Sequence, residues 1–471
     1  MDGRDAVTDA HRDTTDATDE APPPLAALAD WPEPDPQRPV VDLRFEVAAD
    51  LRQVTGTERI VFRPDLSVCE VVLRAWPNKP ATARAGNALE VTELRIDGEV
   101  VPPILVPAGA PDGAPATLIE APLEQCASAG ASIVVDLAFE VRLGTATDER
   151  LGVAQAGDLA WFGTAFPLLA WERGQGWARD AAVAVPGEMA TSETFELRSL
   201  EVEVPHGYDV LGVGVPLGVR DDPATGRSTH RFAAPAVRDV TVTVGDLEVL
   251  EEDIDGVTLH LGAPAGTRAS LDAWRDQVVD VTRSLVDHLG PLPYDDLWVS
   301  VLPDQTDGIE YAGAVQFGDV DPEDERWLLS HELAHQWFYG LVGNNQARDP
   351  WLDEAFASFV QAVVDDPDRD PFRPPGRLAR SDGELGQPMT YWAAQERPGR
   401  TYVEGVYVRG SDALVAARDA AGAEAFDAAL RDYLVTNAHA IATPDDVRAA
   451  FAHLPGAVAV LETAGAFATG S

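Results

Sequence analysis

The feature that most constrains this chain is a pair of histidines, His331 and His335, set four residues apart with Glu332 beside the first. On an α-helix this spacing puts both imidazoles on one face, one turn apart, where they can bind one metal ion. Glu354 follows His335 after eighteen intervening residues, within the segment Trp-Leu-Asp-Glu-Ala-Phe-Ala, which is also typical of a helix. The pattern therefore predicts two packed helices that bring two imidazoles and one carboxylate to a common point.

This set of ligands indicates the kind of metal site. Two histidines and one glutamate leave a tetrahedral zinc ion with one open coordination position, which is typical of a catalytic site. A zinc ion lowers the pKa of a bound water, and Glu332, offset by about 100° around the helix, would accept the proton as a general base. The alternative is a helix with one exposed and one buried histidine. Glu354 at the matching spacing favours the metal site, with one zinc ion per chain.

The charge of the chain narrows the set of partners. Its 471 residues include 35 basic and 79 acidic side chains, which give a formal net charge of −44. Such a field repels nucleic acids and anionic membrane surfaces, so we expect neither as a partner. Because 45% of the residues are apolar, the chain can build two or three globular domains with a large core.

The sequence contains no pattern typical of membrane insertion or export. No run approaches the roughly 18 apolar residues of a transmembrane helix, and the start lacks the charged and then apolar leader of a secretory signal. We therefore expect a cytoplasmic protein, or an extracytoplasmic or cell-surface protein if a leader is missing from the sequence. No pattern indicates an oligomeric state.

The first half of the chain has the periodicity of β-strands. Residues 1–38 are rich in Asp, Thr, Ala and Pro, which indicates a disordered acidic tail. Residues 39–262 predict an all-β sandwich domain, because apolar and polar residues alternate along many short segments bounded by Gly, Pro and Asp. The clearest alternating segments are 41–47, 135–143, 200–204 and 240–244.

The second half has helical periodicity instead. Residues 263–455 predict a mainly α domain that carries the metal motif, beginning with a helix that starts near Leu271 and ends at Gly290. Residues 365–400 are rich in Pro, Asp and Gly and predict a long surface loop. Residues 456–471 are rich in Ala and Gly and predict a flexible end.

The two cysteines, Cys69 and Cys126, both lie in the predicted β domain. They are not in a Cys-x-x-Cys spacing and cannot form a zinc site alone. One disulfide bond and two buried thiols both fit the sequence.

The combined motifs resemble a known family. His-Glu-Leu-Ala-His-Gln-Trp at 331–337 with Trp-Leu-Asp-Glu-Ala-Phe-Ala at 351–357 is similar to the aminopeptidase N family of gluzincin zinc metallopeptidases, which includes leukotriene hydrolase, in its short two-domain form. His-Leu-Gly-Pro-Leu-Pro-Tyr at 288–294 and Phe-Pro-Leu-Leu at 166–169 extend the similarity to most of 40–455. The resemblance implies a β-sandwich domain followed by a thermolysin-like, mainly α catalytic domain, the order that the periodicity also predicts.

The resemblance also implies a site for the α-amine of the substrate. The family has a Gly-x-Met-Glu-Asn motif whose Glu holds this amine, and Gly308-Ile309-Glu310-Tyr311 lies at the matching place, 21 residues before His331. Glu310 would then pair with the ammonium group, and Gly308 and Ile309 would contact the substrate. The Ile and Tyr in place of Met and Asn affect the shape of the subsite more than its charge. The alternative is a loop carboxylate that contacts only water.

A tyrosine that stabilises the oxyanion is implied in the same way. The family has a Tyr-x-Lys-Gly motif, and Tyr407 begins the sequence Tyr-Val-Arg-Gly, 53 residues after Glu354. Tyr402, which begins Tyr-Val-Glu-Gly, is the competing candidate. We favour Tyr407 because Arg409 keeps a basic residue in the motif and a helical pattern follows. A packing role is the alternative for either tyrosine.

Two departures from the longer members of the family affect the expected site. Their Phe-Pro-Cys-Phe-Asp-Glu-Pro sequence is absent, so the second amine-binding residue has no clear counterpart, and we name Gln155 as a weak candidate. Their large C-terminal helical domain is also missing, which implies a more open active site.

These features predict a zinc aminopeptidase that removes N-terminal residues from peptides with a free N-terminus. Two alternatives remain: a zinc endopeptidase or other gluzincin hydrolase with the same centre, and a zinc-binding protein that binds peptides without turnover. The predicted roles are zinc binding by His331, His335 and Glu354, catalysis by Glu332 and Tyr407, and substrate binding by Glu310, Gly308 and Ile309.

Overall fold

The structure, a computed structural model, describes residues 31–145, 148, 150–185, 192–365 and 383–467. Its N-terminal half is built almost entirely of strands, as the period-two pattern predicts. The elements of this half are β1 (Val40–Val47), β2 (Gln53–Phe62), β3 (Val68–Arg74), a 3-10 turn (Trp76–Asn78), α1 (Pro80–Arg84), β4 (Ala88–Ile96), β5 (Glu99–Val100), β6 (Ile104–Val106), β7 (Leu118–Ala127), β8 (Ile133–Arg142), β9 (Leu151–Val153), β10 (Leu159–Gly163), β11 (Leu168–Leu169), β12 (Trp171–Glu172), β13 (Gly176–Trp177), β14 (Phe195–Pro205), β15 (Asp209–Leu211), β16 (Val215–Asp222), β17 (Arg227–Val237) and β18 (Thr241–Gly245).

Three larger sheets enclose the core of this β half. An eight-stranded sheet has the order β16-β17-β14-β1-β2-β8-β4-β5, and its apolar face packs against two four-stranded sheets, β15-β18-β10-β9 and β11-β3-β7-β6. Alternating side chains of β1 and β8 point into this core, so one polar face of the large sheet stays in water. Phe45 of β1 meets Phe162 of β10 edge to face across the sandwich, with ring centroids 5.2 Å apart. The predicted N-terminal sandwich is therefore present.

A disulfide bond joins Cys69 and Cys126 across the neighbouring strands β3 and β7. The sequence allowed either a disulfide or two thiols, and the structure has the disulfide. The bond closes a loop with a sequence separation of 57 residues and fixes one edge region of the sandwich.

The second half combines a sheet with helices that cover it. Its elements are β19 (Leu247–Ile254), β20 (Val257–Pro264), α2 (Leu271–Leu289), β21 (Asp296–Leu302), β22 (Gly308–Tyr311), β23 (Ala314–Gly318), α3 (Arg326–Ala334), β24 (Gly343–Asn344), α4 (Trp351–Val364), α5 (Met389–Ala393), α6 (Pro398–Tyr402), a π-helical turn (Val403–Val408), α7 (Arg409–Ala421), α8 (Ala423–Thr436), β25 (Ile441–Ala442), α9 (Pro444–Ala450) and α10 (Pro455–Thr463). Helix α2 begins at the cap Ser270, whose side chain accepts from the Ala273 N–H, and ends at Gly290, where φ is +105°.

The boundary between the halves lies earlier than the predicted residue 262. Strands β19 and β20 do not join the sandwich but begin a five-stranded sheet with the order β19-β20-β21-β23-β22. The alternation of apolar residues along 247–264 predicts strands correctly, yet it carries no information on which sheet they join. The parallel pairing of β20 with β21, across the crossover helix α2, decides this.

The expectation of a disordered tail is wrong for residues 31–38, the last residues of that segment. The side chain of Trp31 is 8% exposed, and its Nε1 donates to the Pro291 carbonyl at 3.0 Å. Pro32 accepts a hydrogen bond from His439 Nε2 at 3.0 Å. One large aromatic residue thus attaches this segment to the second half, whereas residues 1–30 lie outside the described part of the chain.

Two further expectations for the second half are wrong in part. The predicted surface loop at 365–400 contains α5 and the start of α6, and residues 366–382 lie outside the described part. The predicted flexible end contains most of α10, whose Leu461 is fully buried. Small residues permit this packing, because they let α10 approach α7 closely at Gly456, whereas in the sequence they resemble a frayed end.

Arg238 joins the two halves. Its side chain is 3% exposed and comes from the segment between β17 and β18 of the β half. It donates to the carbonyls of Ser192, Gly340, Leu341 and Ala440, at 2.6–3.3 Å. One guanidinium therefore connects the sandwich to two separate parts of the second half. Among the described residues, no helix has the length and apolar character needed to cross a membrane.

Candidate active site

The two histidines lie at the end of α3, and the glutamate lies in the first turn of α4. Helix α3 ends at Ala334, and His335 follows as its cap with helical dihedral angles (φ −63°, ψ −12°), so the four-residue spacing keeps both imidazoles on one face. Glu354 stands near the start of α4, which packs against α3. The three side chains are between 1% and 5% exposed. The structure therefore brings together the residues that the spacing predicts.

The donor atoms have the separations that a tetrahedral zinc ion requires. His331 Nε2 lies 3.2 Å from Glu354 Oε2, His335 Nε2 lies 3.5 Å from the same oxygen, and the two Nε2 atoms are 3.3 Å apart. Zinc bonds of about 2.0–2.2 Å in a tetrahedron separate any two ligand atoms by about 3.3 Å. These residues, one oxygen and two nitrogen donors converging on a point, fit a zinc ion without rearrangement.

The other ring nitrogens of the histidines also have partners. His335 Nδ1 donates to the Phe338 carbonyl at 3.0 Å, and His331 Nδ1 lies 3.4 Å from the Ser358 hydroxyl. A hydrogen bond at Nδ1 leaves the Nε2 lone pair for a metal. The Asp353 carboxylate, next to Glu354, does not take part in these contacts; it accepts from the Glu354 N–H and from the Gln346 side chain. Ser358 carries no sequence signal, because any small polar residue at that place of α4 would look the same.

Glu332 is 6% exposed and lies against the edge strand β22. Gly308 of that strand permits the contact, since a Cβ atom at this position would lie 2.4 Å from Glu332 Cγ. Burial raises the pKa of the Glu332 carboxyl well above its ordinary value, although the nearby His335 opposes this. Gly308 thus has a spatial reason to be a glycine, which the sequence motif alone did not supply.

Glu310 lies beside the histidines. It is the third residue of β22, and its carboxylate, the Glu332 carboxylate and the His335 imidazole have ligand atoms within 4.8 Å of one another. Its Oε1 atom is buried and has no hydrogen-bond partner in the described part of the chain. The ion-pair contact of this atom is with Arg150 Nη2, at 3.6 Å. A buried acceptor with an empty hydrogen-bonding position is an unusual feature that a donor on a ligand would satisfy.

The two candidate tyrosines lie together next to the histidines. The ring of Tyr407 stacks on the imidazole of His331 with centroids 5.5 Å apart, and its hydroxyl hydrogen-bonds the Glu354 carboxylate. Tyr402 packs edge to face on Tyr407, with ring centroids 5.6 Å apart. The π-helical turn at 403–408 produces this arrangement, because its wider spacing brings both rings to one side. Burial raises the pKa of both hydroxyls well above the ordinary value.

Sequence reasoning missed the contribution of the β half. Gln155, the candidate for a second amine-binding residue, lies in an exposed turn where its N–H donates to Asp304. Arg150 is the side chain from this half that contacts Glu310, and Asp239 lies behind it at 3.9 Å. Neither residue belongs to a motif, so only the fold reveals them.

Comparison with known proteins finds a family likeness in the second half. Residues 321–463 match the family model described as Peptidase family M1 domain. Aminopeptidase N of Lactococcus lactis subsp. cremoris is 36% identical over 89 residues, which are 16% of this chain and 10% of that protein. Endoplasmic reticulum aminopeptidase 2 of Bos taurus is 30% identical over 128 residues, 22% of this chain and 13% of that protein. The matches thus span only about a tenth of these relatives.

Solved structures have the same arrangement of two halves as this chain. An M1 zinc metallopeptidase from Deinococcus radiodurans has a TM-score of 0.62 and 18% identity, over 94% of this chain and 98% of that chain. A two-domain M1 zinc metallopeptidase mutant bound to L-tryptophan has a TM-score of 0.63 and 18% identity, over 93% and 98%. The fold of this chain is therefore the two-domain M1 fold, as the resemblance implied.

Proposed function

We propose that this chain is a zinc-dependent aminopeptidase that hydrolyses the first peptide bond of peptides with a free N-terminus. One zinc ion per chain would be held by His331, His335 and Glu354. The observation that carries the proposal is the Glu310 carboxylate, which lies beside the metal-ligand cluster and whose buried Oε1 atom receives no hydrogen bond from the described residues. A hydrolytic centre next to such an acceptor favours a substrate that ends in an ammonium group.

Binding of the α-amine would fix which peptide bond is cut. The substrate ammonium donates to Glu310, and Gly308 and Ile309 of the same strand line the space beside it. Because the carboxylate lies so close to Glu332 and His335, only the first carbonyl of a peptide reaches the reacting position. A blocked amine loses the positive charge and keeps only one N–H donor for Glu310.

The chemical step uses two further side chains. A zinc ion in the site supplies a Lewis acid that polarises a carbonyl and acidifies water. Glu332 takes the proton of the attacking water and passes it to the leaving amine. Tyr407 donates a hydrogen bond from its hydroxyl to the developing oxyanion, and the raised pKa of this hydroxyl keeps it protonated for that task.

The related proteins support this proposal. The two curated relatives described above are named aminopeptidases. The two-domain structural neighbours include one bound to L-tryptophan and another bound to a Tyr-Ser-Ala substrate. Both ligands have a free α-amine, which is the group that Glu310 would bind in this chain.

The decisive experiment compares aminoacyl amides with a free amine and the same amides after N-acetylation, with and without a zinc chelator. We expect hydrolysis of the free amides alone, loss with chelator, and recovery on adding zinc. The variant Glu310→Gln keeps the size of the side chain but removes its charge, and we expect KM for the free amides to rise about tenfold or more. Equal cleavage of acetylated amides would instead identify an endopeptidase or another hydrolase with the same centre.

A further inference from the structure

We infer that Arg150 of the β half is a positioning residue for α-amine recognition, one that holds Glu310 in its binding orientation. The inference rests on the proposed aminopeptidase function. It adds that the amine site is completed by a residue from outside the M1 domain, so the two halves build one site together.

Arg150 lies between two carboxylates. The side chain is fully buried, with Nη2 at 3.6 Å from Glu310 Oε1 and Nη1 at 3.9 Å from Asp239 Oδ2. Asp239 is itself fully buried and accepts from the hydroxyls of Tyr339 and Thr164. The guanidinium is therefore held between two carboxylates, one of them the proposed amine ligand.

Two aromatic rings lie beside this guanidinium. Its central carbon is 4.8 Å from the centroid of the Trp76 ring and 5.1 Å from that of the Tyr311 ring. Tyr311 directly follows Glu310 in β22, so the same strand carries the carboxylate and one of the rings that contact Arg150. Cation–π contacts of this kind are made more often by arginine than by lysine.

Gly163, in the β half, leaves space for the ring of Tyr311. A Cβ atom on Gly163 would lie 2.0 Å from the Tyr311 hydroxyl oxygen and 2.3 Å from the ring carbon that bears it. Gly163 is the last residue of β10 and belongs to neither the metal cluster nor the amine site. A methyl group there would push the ring of Tyr311, and with it the arginine, without touching Glu310.

The guanidinium of Arg150 faces two buried carboxylates, those of Asp239 and Glu310. An arginine placed in this way can hold a carboxylate in a fixed orientation. Two other buried arginines differ in this respect: Arg74 and Arg238 donate to backbone carbonyls. Arg150 is thus suited to orient a carboxylate rather than to join segments of backbone.

The test measures kcat and KM of the full chain with zinc, on free and N-acetylated aminoacyl amides. We expect Arg150→Met to raise KM for the free amide about tenfold with kcat changed less than about threefold, since an orienting residue affects binding of the amine. Arg150→Lys, which keeps the charge but not the plane, should recover part of the loss. Gly163→Ala should raise KM in the same direction with the guanidinium still present.

Arg74→Met is the matched control, because Arg74 is a buried arginine of the β half that donates to the carbonyls of Ala178 and Asp180. It should lower the melting temperature without changing KM for the free amides. Equal KM changes for Arg150→Met and Arg74→Met, or an effect on kcat alone, would overturn the inference. If Arg150→Met does not fold, the lysine variant and Gly163→Ala carry the same comparison.

The two proposals fail in different ways. If the unmodified protein cleaves free and blocked amides equally, the aminopeptidase function is wrong and the inference falls with it. If it prefers free amides and the Arg150 and Gly163 variants keep that preference with unchanged KM, only the role of Arg150 is wrong.

Discussion

Three glutamates share one buried region of the site, and their neighbours separate their properties. Burial raises the pKa of Glu332 and Glu310. Burial acts on Glu354 in the same direction, but hydrogen bonds from His331 and His335 bring its pKa below the ordinary value. A carboxylate held ionised suits a metal ligand, and one with a higher proton affinity suits proton transfer. Environment therefore assigns different tasks to identical side chains.

Replacement of Glu332 by Gln should reduce kcat about a thousandfold, since the amide cannot accept a proton and general-base catalysis contributes about 10²–10⁴. KM should change little, because the shape of the side chain is kept. Steady-state kinetics on a free aminoacyl amide measures both constants, and metal analysis verifies that zinc content is unchanged. Activity within tenfold of the parent protein would contradict the proposed role.

The pair Tyr407 and Tyr402 can be separated by removing one hydroxyl at a time. We expect Tyr407→Phe to lower kcat about 10²–10³-fold, the usual loss for an oxyanion donor. Tyr402→Phe should reduce kcat much less, because the ring of Tyr407 stacks on His331 whereas Tyr402 lies behind it, against Tyr407. The reverse order of the two effects would make Tyr402 the donor.

At the scale of single residues, short-range sequence patterns predict the candidate metal ligands. They do not predict contacts between distant parts of the chain. The spacing of His331, His335 and Glu354 depends only on helix geometry, so the sequence indicates their convergence. Arg150 and Glu310 are brought together by the docking of two halves, and no local pattern encodes that contact. Tyr311, a departure from the resembled motif, has its explanation in the ring contact with Arg150.

At the scale of elements, the pattern of apolar residues predicts element type better than element partners. Strands β1, β8, β14 and β18 coincide with the alternating segments, and α2 coincides with the helical one. The pattern did not indicate that β19 and β20 join the second sheet, because pairing depends on the path of the chain. The helix α10 was missed since Ala and Gly have no marked periodicity.

The disulfide between β3 and β7 should stabilise the β half. A loop with a separation of 57 residues loses conformational freedom when it is closed, which corresponds to about 2–4 kcal/mol in the unfolding free energy. The double variant Cys69→Ser/Cys126→Ser should lower the urea midpoint of unfolding accordingly. The unmodified protein under reducing conditions is the control and should show a similar shift, whereas equal midpoints in all three samples would contradict the prediction.

At the scale of the molecule, His439 couples the N-terminal segment to pH. Burial lowers its pKa from 6.5 to about 4, and its Nε2 donates to the Pro32 carbonyl. The unfolded chain therefore binds a proton more readily than the folded protein, so the contribution of His439 is full above pH 6.5 and is lost as the pH falls towards about 4. The loss amounts to at most about 3 kcal/mol for the 2.5-unit difference.

The variant His439→Asn tests this coupling, because Asn tolerates the positive φ of +64° at this position and can donate to the same carbonyl. Chemical unfolding at about pH 7 and about pH 4.5 should show that the parent protein loses more stability on acidification than the variant does. Other carboxyl groups titrate in both proteins, so the difference between them isolates the histidine. Parallel losses in the two proteins would count against the assignment.

The contacts of Arg238 have a consequence for how the chain is made. Two of its acceptors, Gly340 and Leu341, follow it by 102 and 103 residues, and Ala440 follows by 202. At roughly 5–20 residues per second, the ribosome delivers that last acceptor about 10–40 s after Arg238 has emerged. Until then this face of the newly made sandwich stays hydrated and incomplete. If translation stalls before residue 440, the face of the nascent sandwich around Arg238 would stay exposed, and chaperones could bind there.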